Sequence, residues 1–292
     1  MGTTFTRNRL KYSVNENFFD KWTSRMAYVL GFAFADGNIY KNSLAWDIQK
    51  RDVNLLIDIK KAMNSTYPII NRPKSVRLRM SNQRLNESIA AKGLIENKAK
   101  RMKLPEIPRR LTSHFIRGFL DGDGWIAKRN NRNEVDLGFA SGNKIFLENI
   151  SHVIFKSIGI LGRVREKNKI TPKGFKSKTF LVEFYSNNAI KVADWIYSDL
   201  KDGDIFLERK YEKYLNAVEL YKYLNSGARE VSRVIQRKFK KTMKEILFDL
   251  YKNRHLDGVK IAAILGVHSS SVYRWLEKTG VKYVEHRKIV CG

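Results

Sequence analysis

The sequence contains a single cysteine, Cys291, which excludes a disulfide framework and a zinc site built from thiolates. Its five histidines are scattered and lack the spacing of metal ligands. The longest apolar run, residues 26–35, is too short for a membrane span, which needs about 20 residues. The start of the sequence is polar and basic, so we predict no secretory signal. We expect a reducing intracellular compartment, such as a cytoplasm, a nucleoid or an organelle matrix, for a protein that is not secreted.

Acidic residues are also scarce: the sequence has 29 Asp and Glu but 56 Lys and Arg, which gives a net charge of +27. Such an excess predicts a polyanionic partner, because cations that neutralise phosphates release condensed counterions. Nucleic acid is the first candidate, and no long basic amphipathic helix supports the alternative of an anionic membrane surface. The length of 292 residues, 43% of them apolar, predicts two folded domains and a small third one.

Two segments of the sequence resemble each other. MAYVLGFAFADG, residues 26–37, aligns with SHFIRGFLDGDG, residues 113–124, so that Asp36 meets Asp123 and Gly37 meets Gly124 at an offset of 87. Each segment is followed by a strand region, a helix, two strand-like runs and a helix. These lie at about 39–49, 52–63, 67–80 and 82–92 in the first copy, and at about 125–141, 143–158, 161–185 and 187–198 in the second. The pattern predicts a tandem duplication of an αββαββα unit.

Both motifs are predicted to be helices, the first capped by Thr23 or Ser24 and the second by Thr112 or Ser113. Small residues recur four apart, which would let two helix backbones approach closely. They are Ala27, Gly31 and Ala35 in the first helix, and Gly118 and Gly122 in the second. The glycines at the two ends, Gly37 and Gly124, suit the left-handed conformation that ends many helices.

Asp36 and Asp123 fall in the last turn of these helices, where a carboxylate faces the negative end of the helix dipole at a cost of about 0.3–1 kcal/mol. A cation would relieve both carboxylates, and together with nearby backbone carbonyls they would form an oxygen site suited to Mg²⁺. Alone, each Asp-Gly pair is also typical of a type I′ hairpin turn. Its recurrence at the end of two similar helices, in a chain of charge +27, favours the metal site.

GFAFADG and GFLDGDG closely match the motif of the LAGLIDADG homing endonucleases, and the chain resembles that family over about residues 20–222. The resemblance implies an α+β fold of two pseudo-symmetric αββαββα lobes, joined through the motif helices, with a saddle of antiparallel sheet lying on DNA. It also implies a monomeric endonuclease that hydrolyses both strands of a long asymmetric site in double-stranded DNA and leaves 3′ overhangs. Mg²⁺ is the expected cofactor, Mn²⁺ would substitute for it, and Ca²⁺ would support binding without cleavage.

The resemblance further nominates residues of the active site. Asp36 and Asp123 would hold the metal, with the backbone carbonyls of Ala35 and Gly122. The stretch DIQKRD points to Gln49 as a residue that helps to position metal-bound water, and the matching stretch FASGN offers Ser141 or Asn143. GLIENKA and FLERKY nominate two lysines near the scissile phosphate, Lys98 and Lys210. Metal would lower the pKa of bound water and lysines would stabilise the developing charge. The sequence contains neither a Ser-His-Asp set nor a P-loop.

Arginines alternate with apolar residues in two predicted strands, which gives each strand a cationic face suited to DNA bases or phosphates. The loop of residues 128–133, KRNNRN, is predicted to be a hairpin tip that reaches DNA. The DNA-binding candidates of this surface are Arg77, Arg79, Arg163 and Arg165 in the strands, and Lys128, Arg129 and Arg132 in the loop.

Beyond residue 224 the pattern changes, and residues 229–244 hold seven Lys or Arg. Three helices are predicted at about 242–253, 258–265 and 269–279. The last two resemble a helix-turn-helix, with Ala262 at the crossing, Gly266 in the turn, and Val267, Val272 and Trp275 in the core. A protein-binding helical domain is the alternative. The residues that would face the major groove are His268, Ser269, Ser270, Tyr273 and Arg274.

The predicted domains are therefore two lobes at 1–108 and 109–224, a basic linker at 225–241 and a helix-turn-helix domain at 242–292. Two other functions fit the same motifs. One is an RNA maturase that assists the splicing of its own intron and so binds intron RNA. The other is a DNA-binding regulator that keeps the fold but has lost cleavage.

Overall fold

The structure, a computed structural model, describes residues 11–96, 102–129, 134–170, 176–225 and 228–281. The chain divides into two compact units, Met1–Ile126 with Asp136–Lys213 and Ala127–Val135 with Tyr214–Gly292. Within the described residues, no helix is both long and apolar enough to cross a membrane.

The first lobe follows the predicted αββαββα order. Its sheet has its strands in the order first, second, fourth and third, and every paired strand is antiparallel to its neighbour. Alternate side chains of the second strand, Leu44, Trp46 and Ile48, are buried beneath the sheet, as expected of a strand with one face on the core. The elements are α1 (Ser24–Ala35), β1 (Asn38–Tyr40), β2 (Ser43–Gln49), α2 (Val53–Ala62), β3 (Ile69–Asn71), β4 (Ser75–Ser81) and α3 (Gln83–Ala90).

The second lobe repeats this order, and its four strands also lie in the order first, second, fourth and third. The repetition confirms the tandem duplication that the motifs predict. The elements are α4 (Thr112–Asp123), β5 (Gly124–Arg129), β6 (Glu134–Ser141), α5 (Lys144–Ile158), β7 (Arg163–Ile170), β8 (Lys176–Tyr185) and α6 (Ser186–Tyr197).

The two motif helices pack against each other through their glycines. A Cβ added to Gly31 would lie 2.0 Å from the carbonyl oxygen of Phe115, and one added to Gly118 would lie 2.0 Å from that of Tyr28. No side chain can be accommodated at such a distance, so the helix backbones are in direct contact. The small residues therefore have the role that their spacing predicts.

The caps of the two helices differ from one another. Thr23 caps α1 as predicted, since its side chain accepts a hydrogen bond from the amide of Met26. The cap predicted for α4 is wrong, because a 3₁₀ turn at Arg109–Leu111 leads directly into the helix and no side chain caps it. The Ser113 hydroxyl donates instead to Asp199 at 3.0 Å.

The left-handed conformation predicted for Gly37 and Gly124 is also wrong. Neither glycine has a positive φ, and Gly124 is extended, with φ −103° and ψ 174°, because β5 starts there. Both positions require glycine for lack of space. An added Cβ would lie 2.5 Å from the Ala33 carbonyl oxygen at Gly37 and 2.8 Å from the Leu120 carbonyl oxygen at Gly124.

The three helices predicted near the C-terminus are present, the first of them ending in a π-helical turn at Asp249–Asn253. The prediction of a linker at 225–241 needs correction, because much of this segment is a helix. The apolar pair Val231 and Ile235 of that helix is buried in the core of the C-terminal helices. The elements are α7 (Glu208–Asn225), α8 (Ala228–Phe239), α9 (Met243–Phe248), α10 (Gly258–Leu265) and α11 (Ser269–Lys278).

Candidate active site

The packing of the motif helices brings the ends that carry Asp36 and Asp123 together. Asp36 is the capping residue of α1, and its amide donates to the Phe32 carbonyl at 2.9 Å. A Cβ added to Gly122 would lie 3.4 Å from the carboxyl carbon of Asp36 and 2.2 Å from the Cβ of Ala35. The carboxylate of Asp36 thus lies beside the last turn of α4, whose final residue is Asp123. Asp36 is exposed and Asp123 is partly exposed, so both are accessible.

The donors at this point fit a hard divalent cation better than a transition metal. Among the described residues, no cluster of three or more His, Cys, Asp and Glu side chains could hold a metal ion. Two carboxylates and the backbone carbonyls of the helix ends are what the site offers. Mg²⁺ suits such a set, because it keeps several of its own waters and binds proteins through one or two carboxylates.

Lys210 lies beside the same helix ends and is buried. Its ammonium group donates to the carbonyls of Leu120 at 2.5 Å, Asp121 at 2.8 Å and Gly124 at 2.7 Å, and reaches that of Gly122 at 3.5 Å. Lys210 therefore caps the C-terminal end of α4, and it shares the Gly122 carbonyl that was proposed for the metal. Burial lowers the pKa of Lys210 to about 8, although Asp121, Asp36 and Asp123 act to raise it.

Asp121 is a buried member of the site that the sequence reasoning missed. It accepts hydrogen bonds from the Tyr28 hydroxyl at 2.7 Å and the Leu207 amide at 2.9 Å, while its other oxygen has no hydrogen-bond partner within the described part of the chain. Burial raises the pKa of Asp121 to about 6 despite the neighbouring Lys210. The first motif has Phe34 at the equivalent position, and this replacement of an apolar residue by an acid was the available clue.

Arg117 is a second buried residue of α4 with a positioning role. Its guanidinium donates to the carbonyls of Ile196 at 3.1 Å and Ile205 at 3.3 Å, and contacts the His114 Nδ1 at 2.8 Å. Burial, and then the charge of Arg117, lower the pKa of His114. Together with Asp121, Arg117 fixes the segment after α6 to the motif helix, and this segment leads into Lys210.

The residues predicted to position metal-bound water differ in their exposure. Gln49 ends β2 on the exposed face of the first sheet. Ser141 is buried on the same face of β6 as Leu137 and Phe139, and its hydroxyl accepts from the amide of Asn143 at 3.1 Å. Asn143 in turn caps α5 through the amide of Phe146. Both residues offered for the second lobe thus have local structural contacts, and neither is an equivalent of Gln49.

The arginine face of the first sheet contains an acid that the strand pattern did not reveal. Asp47 accepts from Arg77 at 2.7 Å and from Arg72 at 3.1 Å. A hydrogen bond from Ser75 and then the contact with Arg77 lower the pKa of Asp47. Arg79 donates to the Ser43 hydroxyl at 3.1 Å. These contacts hold the guanidinium groups in place on the sheet.

The second sheet has a comparable arrangement, in which Arg165 pairs with Glu183 and donates to the Tyr185 hydroxyl at 3.2 Å. Arg163 is exposed. Each sheet therefore carries a carboxylate on a strand that neighbours the arginine strand, and this acid offsets part of the predicted cationic face. Lys128 and Arg129 end β5, whereas Lys98 and Arg132 lie outside the described residues.

The turn between α10 and α11 has the predicted geometry. Gly266 is left-handed, with φ 69°, while Val267, Val272 and Trp275 are buried. Three candidates for groove contact, His268, Ser270 and Arg274, are exposed, and Ser269 is partly exposed. Tyr273 is different, because it packs on the core, and a Cβ added to Gly258 would lie 2.3 Å from its ring.

The role of Lys210 in the helix end can be tested by Lys210→Met. Since the substitution removes the donor to several carbonyls in a buried place, we expect it to lower the free energy of unfolding by about 2 kcal/mol. Lys213→Met removes an exposed lysine one turn further along α7 and should change the free energy of unfolding by less than about 0.5 kcal/mol. Urea denaturation measures both values. Equal values for the two variants would contradict the capping role.

The fold and site define a class: an α+β protein of two lobes that meet through paired helices ending in aspartates. Residues 111–197 match the family model for a LAGLIDADG-like domain. The second lobe thus matches a LAGLIDADG-like domain over these residues, and the first lobe repeats its arrangement of helices and strands.

Individual proteins are similar to parts of the chain. A probable translation initiation factor IF-2 from Thermococcus kodakarensis is 27% identical over 154 residues, which cover 49% of this chain and 12% of that protein. The match thus spans a small fraction of the relative. Among solved structures, the I-SmaMI LAGLIDADG homing endonuclease bound to cleaved DNA has 14% identity and a TM-score of 0.44, covering 70% of this chain and 90% of its own. Full-length WhiA from Thermatoga maritima has 12% identity and a TM-score of 0.42, and the match covers 91% of this chain and 94% of WhiA.

Proposed function

We propose that the protein is a site-specific DNA endonuclease that hydrolyses both strands with a divalent metal, preferably Mg²⁺, held by Asp36 and Asp123. The observation that carries the proposal is the position of the Asp36 carboxyl carbon, 3.4 Å from the place of a Cβ on Gly122, at the end of the opposite motif helix. The LAGLIDADG-like domain at residues 111–197 supports it. So does the net charge of +27, which favours a nucleic-acid partner.

The residues around the two acids have separable roles in this reaction. Asp36 and Asp123 would supply the negative charge that holds the metal. When bound, the metal would lower the pKa of water and neutralise charge on the phosphate. Lys210 compensates the dipole at the end of α4, the helix whose last residue is Asp123. Asp121 holds the amide of Leu207 and thereby positions the segment that carries Lys210.

The two sheets and the C-terminal helices would bind the DNA substrate. The arginines held by Asp47 and Glu183 present ordered donors to DNA bases or phosphates. The exposed residues of α11, among them Ser270 and Arg274, would enter a major groove as a helix-turn-helix does. The partner would then be a long asymmetric duplex read by one monomer, with products that carry 3′ overhangs.

A second candidate function is DNA binding without cleavage. It is favoured by the contacts of Lys210, whose ammonium lies within reach of the Gly122 carbonyl and reduces what the site offers to a metal. Binding a duplex would still use the sheets and the C-terminal helices in the same way.

Selection of a target separates the two candidates. A library of randomised duplexes is enriched by binding to the protein in Ca²⁺, and the enriched duplex is then incubated in Mg²⁺ or in EDTA. The endonuclease proposal expects double-strand cleavage in Mg²⁺ alone. A selected duplex that is bound tightly in Mg²⁺ and stays intact would support the second candidate and reject the first.

A further inference from the structure

The C-terminal unit carries a second charged surface, formed by α8 and the start of α9. Val231 and Ile235, four residues apart on α8, are 7% and 1% exposed, and they pack with residues of the following helices. One side of α8 is therefore part of the core of this unit. The cations of the segment are consequently carried by an anchored helix, whereas in a free linker they would have no fixed arrangement.

The remaining sides of this segment are strongly basic. Six side chains over residues 233–244 are exposed, and none of them forms an ion pair with any of the described residues. They are Arg233, Arg237, Lys238, Lys240, Lys241 and Lys244.

The turn that carries two of these lysines is ordered by its own hydrogen bonds. Lys240 has a left-handed φ of 50° and its amide donates to Arg237, while the Lys241 amide donates to Gln236 at 3.2 Å. Glu245 is the single acid of residues 231–248, and it accepts from the amide and hydroxyl of Thr242 at 2.7 and 2.8 Å. The acid therefore closes the capping box of α9 and leaves most of the cationic charge uncompensated.

We infer that α8, the turn after it and the start of α9, residues 233–244, form a phosphate-binding surface for duplex DNA. Six like charges on a fixed scaffold repel one another, and a polyanion with regularly spaced phosphates removes that repulsion. Long, exposed Lys and Arg side chains suit contacts with phosphates, which position a protein on DNA without reading its sequence. The surface would add affinity, while the exposed residues of α11 would contribute selectivity. This inference rests on the proposed DNA binding but does not depend on cleavage.

The test compares two triple variants of the full-length chain. Arg233→Gln/Arg237→Gln/Lys241→Gln removes three charges from the surface. Lys156→Gln/Lys191→Gln/Lys201→Gln removes three exposed charges from the second lobe and serves as the control for net charge. Thermal unfolding verifies that both variants fold. The dissociation constant is then measured against salt concentration, with the selected duplex and with an unrelated duplex.

If each of the three side chains neutralises one phosphate, the slope of log K against log salt should become about 3 units smaller in magnitude in the α8 variant. Near 0.15 M salt, this predicts about 100-fold weaker binding of both duplexes, with an unchanged ratio between them. A slope equal to that of the control variant would overturn the inference, as would a loss confined to the selected duplex. Cleavage is scored separately at saturating protein, so a chain that binds but never cuts would defeat the endonuclease proposal and leave this comparison intact.

Discussion

Asp36→Asn and Asp123→Asn should each reduce double-strand cleavage in Mg²⁺ by about 1000-fold, because each removes half of the negative charge that holds the metal. Binding of the selected duplex in Ca²⁺ should change by less than about threefold, since the sheets and the C-terminal helices would supply most of the contacts. Single-turnover cleavage of a duplex labelled on both strands measures the first effect, and equilibrium binding in Ca²⁺ measures the second.

Asp202→Asn is the matched control, since Asp202 is an exposed acid outside both motifs and its loss changes the net charge equally. This variant should cut at the wild-type rate. A shared metal centre further requires that either motif variant slows cleavage of both strands. A centre shared between the two motifs would be refuted if Asp123→Asn cut both strands at the normal rate. It would also be refuted if this variant no longer cut one strand but still cut the other at full rate.

Gly31→Ala and Gly118→Ala should each lower the free energy of unfolding by more than about 3 kcal/mol. The new Cβ would lie 2.0 Å from a backbone carbonyl oxygen of the opposite helix, so the two helices would have to separate and give up close packing along their length. Urea denaturation followed by circular dichroism measures the loss. Cleavage should fall as well, because separation of the helices moves Asp36 away from Asp123.

Gly159→Ala is the control for a glycine replaced by alanine. Gly159 has a left-handed φ of 73°, and an added Cβ would meet nothing within 4 Å, so backbone strain of about 1 kcal/mol is the expected cost. A loss at Gly31 and Gly118 no larger than that at Gly159 would show that the helices are not in direct contact in solution.

The duplicated fold could be predicted because its determinants are local. The alternation of the large apolar residues Leu44, Trp46 and Ile48 with small or polar residues indicates a strand with one buried face, and the structure confirms it. The spacing of small residues around Gly31 and Gly118 likewise indicates close packing of two helices, and the structure shows that contact. The repetition of the motif at a fixed offset then predicts the second lobe from the first.

Much of the site could not be predicted, because its contacts join residues that are far apart in the chain. Lys210 binds carbonyls about 90 positions earlier, and Asp121 accepts from Leu207 and from Tyr28. The spacing of apolar residues along the sequence indicates which residues share a face of one helix or strand. It does not indicate which distant residues come into contact. The burial of Ser141 follows from the register of β6 in its sheet, which the stretch FASGN alone does not fix.

The helix α8 was missed for a different reason. Its apolar residues on the core side, Val231 and Ile235, are few, and the density of surrounding cations gives the segment the composition of a solvated linker. Burial against the other helices of the C-terminal unit provides the stability that the isolated segment lacks, because tertiary packing contributes more to most helices than intrinsic propensity. The basic surface is a consequence of that packing.

In the proposed function, Asp36 and Asp123 form one metal-dependent centre that cuts both DNA strands. The most direct measurement maps the ends produced on each strand of the selected duplex in Mg²⁺, in Ca²⁺ and in EDTA. We predict one cut on each strand, staggered to leave 3′ overhangs, in Mg²⁺ only. Binding in Ca²⁺ with intact strands in Mg²⁺, or cleavage that persists in EDTA, would contradict a metal-dependent centre at Asp36 and Asp123.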